Sequence, residues 1–200
     1  LVNVSPIPQA VASDETICSG TSSNVVISEL NTLSGTTYDW VVTNVSNVSG
    51  ASDGSGGVIS QLLSSTDGVT SGSVDYEITA SRNGCSQSAV TVITVTVEPS
   101  PDVAATPSGD ELCDGETTNI VLSTPNGVDM TTGGYTWSLV GLTNITGASA
   151  QGVPVSGPIS QTLDLTVSTL AGQVTYRIFP ESSAGCSGLP IDVLVNVSTI

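Results

Sequence analysis

The chain has 200 residues, with 18 acidic side chains, two basic ones (Arg82 and Arg177), no lysine, no histidine and a net charge of −16. Such a surface repels phosphates and anionic headgroups, which excludes nucleic acid and direct membrane insertion and leaves divalent cations and neutral or cationic ligands. Charged residues make up only 10% of a Val-rich chain, so a folded molecule is expected, and no apolar run approaches the ~18 residues of a membrane span.

The start, Leu1-Val2-Asn3-Val4-Ser5-Pro6, lacks a basic end followed by an apolar block. It is read as no signal peptide, and the chain as an internal segment of a longer protein. A first strand is expected over residues 9–12, after Pro6-Ile7-Pro8, because proline suits an edge or a strand start. Residues 24–28 form the next strand. Thr36-Thr37-Tyr38-Asp39-Trp40-Val41-Val42 follows, with Tyr38, Trp40 and Val42 on one face, since alternate strand residues share a face. A short piece over 59–63 and a strand over 74–80 carrying Tyr76 come next. Asn83-Gly84 then marks a hairpin, because both residues tolerate positive φ. The last strand covers 90–97. Its apolar parity switches between Val92 and Ile93, which predicts a β-bulge there. No segment has a helical period.

The same pattern then returns, which is the mark of an internal repeat. Val4-Ser5-Pro6-Ile7-Pro8 reappears as Val97-Glu98-Pro99-Ser100-Pro101, and Ile17-Cys18-Ser19-Gly20-Thr21 as Leu112-Cys113-Asp114-Gly115-Glu116. Gly50-Ala51-Ser52 matches Gly147-Ala148-Ser149, and Ile59-Ser60-Gln61 matches Ile159-Ser160-Gln161. Tyr38-Asp39-Trp40 matches Tyr135-Thr136-Trp137, Val74-Asp75-Tyr76 matches Val174-Thr175-Tyr176, and Gly84-Cys85-Ser86 matches Gly185-Cys186-Ser187. The extra residues of the second copy fall in 123–134 and 151–158, which are loops by composition. About seven short strands per copy is the sandwich pattern. The expectation is an all-β chain of two tandem immunoglobulin-like sandwiches, residues 1–98 and 99–200. Trp40 and Tyr76 should centre one core and Trp137 and Tyr176 the other. Two prolines in Glu98-Pro99-Ser100-Pro101 predict a short, stiff linker and domains lying end to end.

Tyr-x-Trp in a middle strand (Tyr38 and Trp40, Tyr135 and Trp137), Gly-x-Val-x-Tyr-x-Ile (Gly72 to Ile78, Gly172 to Ile178) and a Val/Thr-rich last strand running into Pro-x-Pro resemble PKD-like domains. With the Ile-Cys-Ser-Gly-Thr and Gly-Cys-Ser motifs, the chain is similar to the cysteine-bearing PKD-like repeats of very large Bacteroidota surface proteins. Among these are gliding-motility adhesins of the SprB type, exported by type IX secretion. Standard PKD domains continue after their Trp with Asp-Phe-Gly-Asp-Gly. Here Trp40 is followed by Val41-Val42-Thr43 and Trp137 by Ser138-Leu139-Val140, which favours the PKD-like branch. The resemblance implies an immunoglobulin-like sandwich in tandem array, a stalk or adhesive role, and a place outside the cell on an outer-membrane-attached protein. Its implied partners are neighbouring repeats and a surface polysaccharide or abiotic surface, with the fragment itself monomeric.

Four cysteines without Cys-x-x-Cys or histidine favour structural disulfides over zinc and place the chain in an oxidising compartment. Three connectivities exist. The simplest joins Cys18 to Cys85 and Cys113 to Cys186, closing each copy on itself. The usual catalytic bases are missing with no histidine or lysine, and Asp14-Glu15 and Asp110-Glu111 read as solvated acids, so the chain is expected not to be an enzyme. Calcium is the candidate cation, because oxygen-rich loops suit a hard ion. Its candidate ligands are Asp53 and the linker-proximal set Glu98, Asp102, Asp110, Glu111, Asp114 and Glu116. The Asn-x-Ser/Thr triplets at Asn3, Asn44, Asn47, Asn144 and Asn196 are expected from composition alone. The competing functional reading is a spacer or carbohydrate-binding accessory module of a secreted glycan-degrading enzyme.

Overall fold

The computed structural model describes residues 4, 6–106 and 111–199. The chain divides into two compact units, Leu1–Pro99 and Ser100–Ile200. Each is an all-β sandwich, with no helix among the described residues.

The principal sheet of the first unit runs in the order Glu15–Cys18, Thr91–Glu98, Gly72–Arg82, Thr37–Ser46, Gly54–Ser55. All neighbours are antiparallel except Glu15–Cys18, which lies parallel to the last strand, Thr91–Glu98. The facing layer is built of shorter pieces. Leu62–Ser65 pairs with Thr21–Ser22 and Val48–Ser49, Val25–Val26 with Val58–Ile59, and Ala10–Val11 with Ser28–Glu29. Gly72–Arg82 alternates strictly along its length, with Val74, Tyr76, Ile78 and Ala80 fully buried. That period of two is what a strand with one face on a core requires. Trp40, Ile93, Val95 and Val97 join them from the same sheet, and Val25, Ile27, Val48, Ile59 and Leu63 close the core from the other side.

The second unit repeats the plan: Glu111–Cys113, Ile191–Ser198, Gly172–Glu181, Gly134–Thr143, Gln151–Val155. Its core gathers Trp137, Val174, Tyr176, Ile178, Val195 and Val197 against Ile120, Ile159 and Leu163. The insertion over 151–158 is not all loop. Gln151–Val155 is an edge strand on the tryptophan strand, pairing Tyr135 with Val155 and Trp137 with Gln151.

Arg82 pairs with Cys85, leaving Asn83 (φ 50°) and Gly84 (φ 77°) as the two loop residues. Both signs are those of the hairpin turn whose twist matches its strands. The bulge expected near Val92 and Ile93 is not there. The ladder runs unbroken through Tyr76–Ile93, Glu77–Val92 and Ile78–Thr91. Val90 lies before the strand and Val92 faces solvent, so the parity switch reflects two exposed valines rather than an extra residue. The bulges fall instead in the tryptophan strands. Thr43 is skipped between Val42–Tyr76 and Asn44–Asp75, and Val140 between Leu139–Tyr176 and Gly141–Thr175. Each stands three residues after its Trp.

Candidate functional site

The motifs that recur in sequence come together in space as one hydrogen-bond lock per unit. In the first, Tyr76 Oη donates to Gln61 Oε1 at 2.6 Å, and Gln61 Nε2 donates to the Ser52 carbonyl at 2.6 Å. Ser52 N returns a bond to Gln61 Oε1 at 3.0 Å, and Trp40 Nε1 donates to the same Ser52 carbonyl at 3.2 Å. Ser23 Oγ accepts from Gln61 N and donates to the Ile59 carbonyl. The second unit has the same bonds: Tyr176 to Gln161 at 3.0 Å, Gln161 to the Ser149 carbonyl at 2.8 Å, Trp137 Nε1 to that carbonyl at 3.0 Å, with Thr118 in the place of Ser23. The lock answers a physical demand. A buried Trp or Tyr needs a partner for its polar end, and a buried donor left without one costs about 1–3 kcal/mol. Burial pushes both the Tyr76 and Tyr176 phenols up to about 12.

Glycine makes room for the lock. Gly50 (φ 95°) and Gly147 (φ 88°) precede its Ala-Ser turn, and a Cβ on them would lie 2.1 Å from the Leu62 carbonyl oxygen and 2.0 Å from that of Thr162. Asn47 and Asn144, both at φ 54°, clamp the following loop. Asn47 Nδ2 donates to the Thr70 carbonyl and Asn144 Nδ2 to that of Leu170, while their Oδ1 atoms accept from Asp67 N and Val167 N. In that loop the Thr70 hydroxyl and the Val69 and Thr70 amides hold the Asp67 carboxyl well below the usual carboxylate range.

The Cys-x-Gly motif is a turn that ties the two layers. Gly20 N donates to the Leu63 carbonyl and Gly115 N to that of Leu163. Ser65 N is capped by Ser19 Oγ and Leu165 N by Asp114 Oδ1. This turn fixes where the cysteines lie. Cys18 sits beside Glu98 at the outgoing end of the first unit, where the last strand leaves. Cys85 sits beside Arg82 at the incoming end. Between them runs Gly72–Arg82, whose 11 residues span roughly 33 Å at the ~3.3 Å rise of a strand. Cys113 is likewise beside Ser198 at the outgoing end of the second unit, and Cys186 follows Glu181 at its incoming end.

The expected pairings of Cys18 with Cys85 and Cys113 with Cys186 are therefore not formed. A disulfide needs Cα atoms within ~7 Å, and each of those pairs is divided by the length of a sandwich. Cys18 and Cys186 are disulfide-bonded. Cys85 and Cys113 carry free thiols, the latter exposed.

The calcium candidates do not converge. Asp102 is at the incoming end of the second unit, accepting from Asn126 N at 2.9 Å. Glu111 is at the outgoing end, bonded to Ser198, with Asp114 and Glu116 in the adjoining turn, where Glu116 accepts from Cys113 N at 2.8 Å. Glu98 accepts from Ser71, and Asp53 from Val42 N at 2.7 Å. Asp110 lies outside the described residues. Among the described residues no three His, Cys, Asp or Glu side chains are grouped closely enough to hold a metal ion. The acids of Asp14-Glu15 cap backbone amides, accepting from Thr94 N and Asn24 N. Arg177 is paired across the strands with Asp192 through Nε at 2.8 Å and Nη2 at 2.7 Å, both side chains half exposed.

The PKD-like domain family matches residues 15–101 and 110–199. The chain belongs to that family. The two matches cover both locks, both Cys-x-Gly turns and both last strands of the PKD-like repeats. No curated protein matches the chain. Among solved structures it is similar to the adhesin InvE of Yersinia pseudotuberculosis at 15% identity, with a TM-score of 0.32, over 94% of this chain and 58% of that one. The fibronectin(III)-like modules of CbhA from Clostridium thermocellum give 13% identity and a TM-score of 0.40, covering 96% and 95% of the two chains. The IG1+IG2 segment of DIP-gamma gives 14% identity and 0.37 over 97% and 98%. The chain thus spans little more than half of the InvE structure, and likenesses at these scores carry no argument about role.

Proposed function

We propose that this chain is a non-catalytic, extracellular stalk segment of a large cell-surface adhesin, of the SprB-like kind exported by type IX secretion and engaged in surface adhesion or gliding. The observation that carries the reading is the duplication itself: one PKD-like sandwich, with one internal lock, repeated in tandem. Repetition of a self-contained unit adds length without adding chemistry. The disulfide-bonded Cys18 and Cys186 support an oxidising compartment. The acidic exterior supports solubility at a crowded surface.

The fate of the aromatic residues favours a spacer over a carbohydrate-binding module. Trp40, Tyr76, Tyr135, Trp137 and Tyr176 are buried, and Tyr38 and Phe179 are half-buried. No aromatic side chain presents the exposed face on which a sugar would stack. The test is to stretch the chain between two tethers and, separately, to run it through gels containing neutral and acidic polysaccharides. Two separate unfolding events and unretarded migration are expected. Retardation by a polysaccharide, removed by a surface substitution, would overturn the stalk reading in favour of a sugar-binding module.

A further inference from the structure

The two repeats carry their cysteines at equivalent places but in different states. The outgoing-end cysteine is disulfide-bonded in the first repeat (Cys18) and free in the second (Cys113). The incoming-end cysteine is free in the first (Cys85) and bonded in the second (Cys186). Nothing local separates bonded from free. Cys18 and Cys113 both open a Cys-x-Gly turn with glycine at φ 80° and 82°. Cys85 and Cys186 both follow a glycine at positive φ, 77° and 81°, next to the end of the tyrosine strand. Bridging within a repeat is ruled out by the length of the strand between its cysteines.

We infer that the PKD-like repeat carries a directional covalent coupling: the outgoing-end cysteine of one copy bonds the incoming-end cysteine of another. Cys113 of one chain is then the partner of Cys85 of a second copy, and the free thiols are the two unfilled halves of that coupling. The ligand of each thiol is the opposite end of another PKD-like repeat. The contact is heterologous, because the two ends differ in structure, so it propagates as an open array rather than closing a symmetric pair.

The chemistry is thiol–disulfide exchange with a small-molecule disulfide as oxidant. The Cys113 thiolate attacks one sulfur of the oxidant, breaking its S–S bond and releasing one thiolate, which takes up a proton. The Cys85 thiolate of the second chain then attacks the Cys113 sulfur of the mixed disulfide and displaces the second small thiolate. Two thiols lose two protons and two electrons, and one small disulfide becomes two small thiols.

The test uses the whole 200-residue chain and two variants, Cys85→Ser and Cys113→Ser. Neither cysteine is bonded in the folded chain, so both variants should keep the melting temperature. Each protein, and an equal mixture of the two variants, is concentrated with oxidised glutathione and run on non-reducing gels, and the linked peptides are identified by mass spectrometry. The expected result is a ladder of multimers from the unchanged chain, a dimer and nothing larger from the mixture, and monomer from either variant alone. The linking peptide should join Cys113 to Cys85. Dimers of a single variant as abundant as those of the mixture would overturn the inference. So would a Cys85–Cys113 bond within one monomer, or chains that end with both thiols capped by glutathione.

Discussion

The two repeats differ most where they are shortest of hydrogen bonds and least where they are buried. In the first, the facing layer is organised as paired strands, with Leu62–Ser65 between Thr21–Ser22 and Val48–Ser49. In the second, the corresponding layer is held partly by single bridges, Thr117 to Thr162 and Ile120 to Ile159. The second compensates on the other sheet, where Gln151–Val155 has five residues against the two of Gly54–Ser55. It also has the Arg177–Asp192 pair, where the first repeat sets Glu77 opposite Val92. Through all of this the Trp–Ser–Gln–Tyr lock is unchanged to within a few tenths of an ångström. The exterior of this sandwich is negotiable; the polar ends of its buried aromatics are not.

The equivalence of the two locks can be broken most forcefully at the tryptophans. Trp40→Ala and Trp137→Ala should each destabilise their own repeat by about 3–5 kcal/mol, the cost of emptying a large buried site. Calorimetry of the two variants should show one transition moved and the other retained. A similar loss in both repeats from one substitution would mean that the units do not melt separately.

Removing the glutamine of the lock should cost less. Gln61→Ala or Gln161→Ala strands a buried tyrosine hydroxyl and should lower stability by about 1–3 kcal/mol. The effects should match between repeats, measured by denaturant unfolding. A Gln161 effect far below that of Gln61 would show the second lock to be slack, as its longer Tyr–Gln bond of 3.0 Å against 2.6 Å would then explain.

The same phenols give a pH signature. With folded values pushed up to about 12 against ~10 in an unfolded chain, the neutral form is favoured by folding. Their contribution to stability is complete below pH ~10 and is lost as the pH rises through about 12. Absorbance titration near 295 nm should show Tyr76 and Tyr176 ionising last, and all four tyrosines titrating together in denaturant. Simultaneous titration in the native chain would count against two sealed locks.

The smallest effect is expected at the feature that most visibly separates the repeats. Arg177→Ala should cost no more than about 1 kcal/mol, because an exposed ion pair gains little in water, and added salt should erase the difference. A loss that survives high salt would assign Arg177 a packing role instead.

What could be read from residues was what local physics dictates. Period-two alternation identified the strands, Asn83-Gly84 identified its hairpin, and the duplicated motifs identified two copies of one fold. Those signals depend on a residue and its near neighbours. The recurrence of Ile-Ser-Gln and Gly-Ala-Ser was also legible, but not its meaning, because Gln61 meets Tyr76 and Ser52 only once three separate strands are aligned. The bulges at Thr43 and Val140 left no trace in the apolar pattern, since both lie where the strand leaves the core. The cysteines and acids depended wholly on tertiary structure. Asp102 and Glu111 are near in sequence yet reach opposite ends of one sandwich, and Cys18 and Cys85 are kept apart by a full-length strand. Which end of a sandwich a residue reaches is set by strand length and pairing register. These come from hydrogen bonds between distant segments, and no window of sequence contains them.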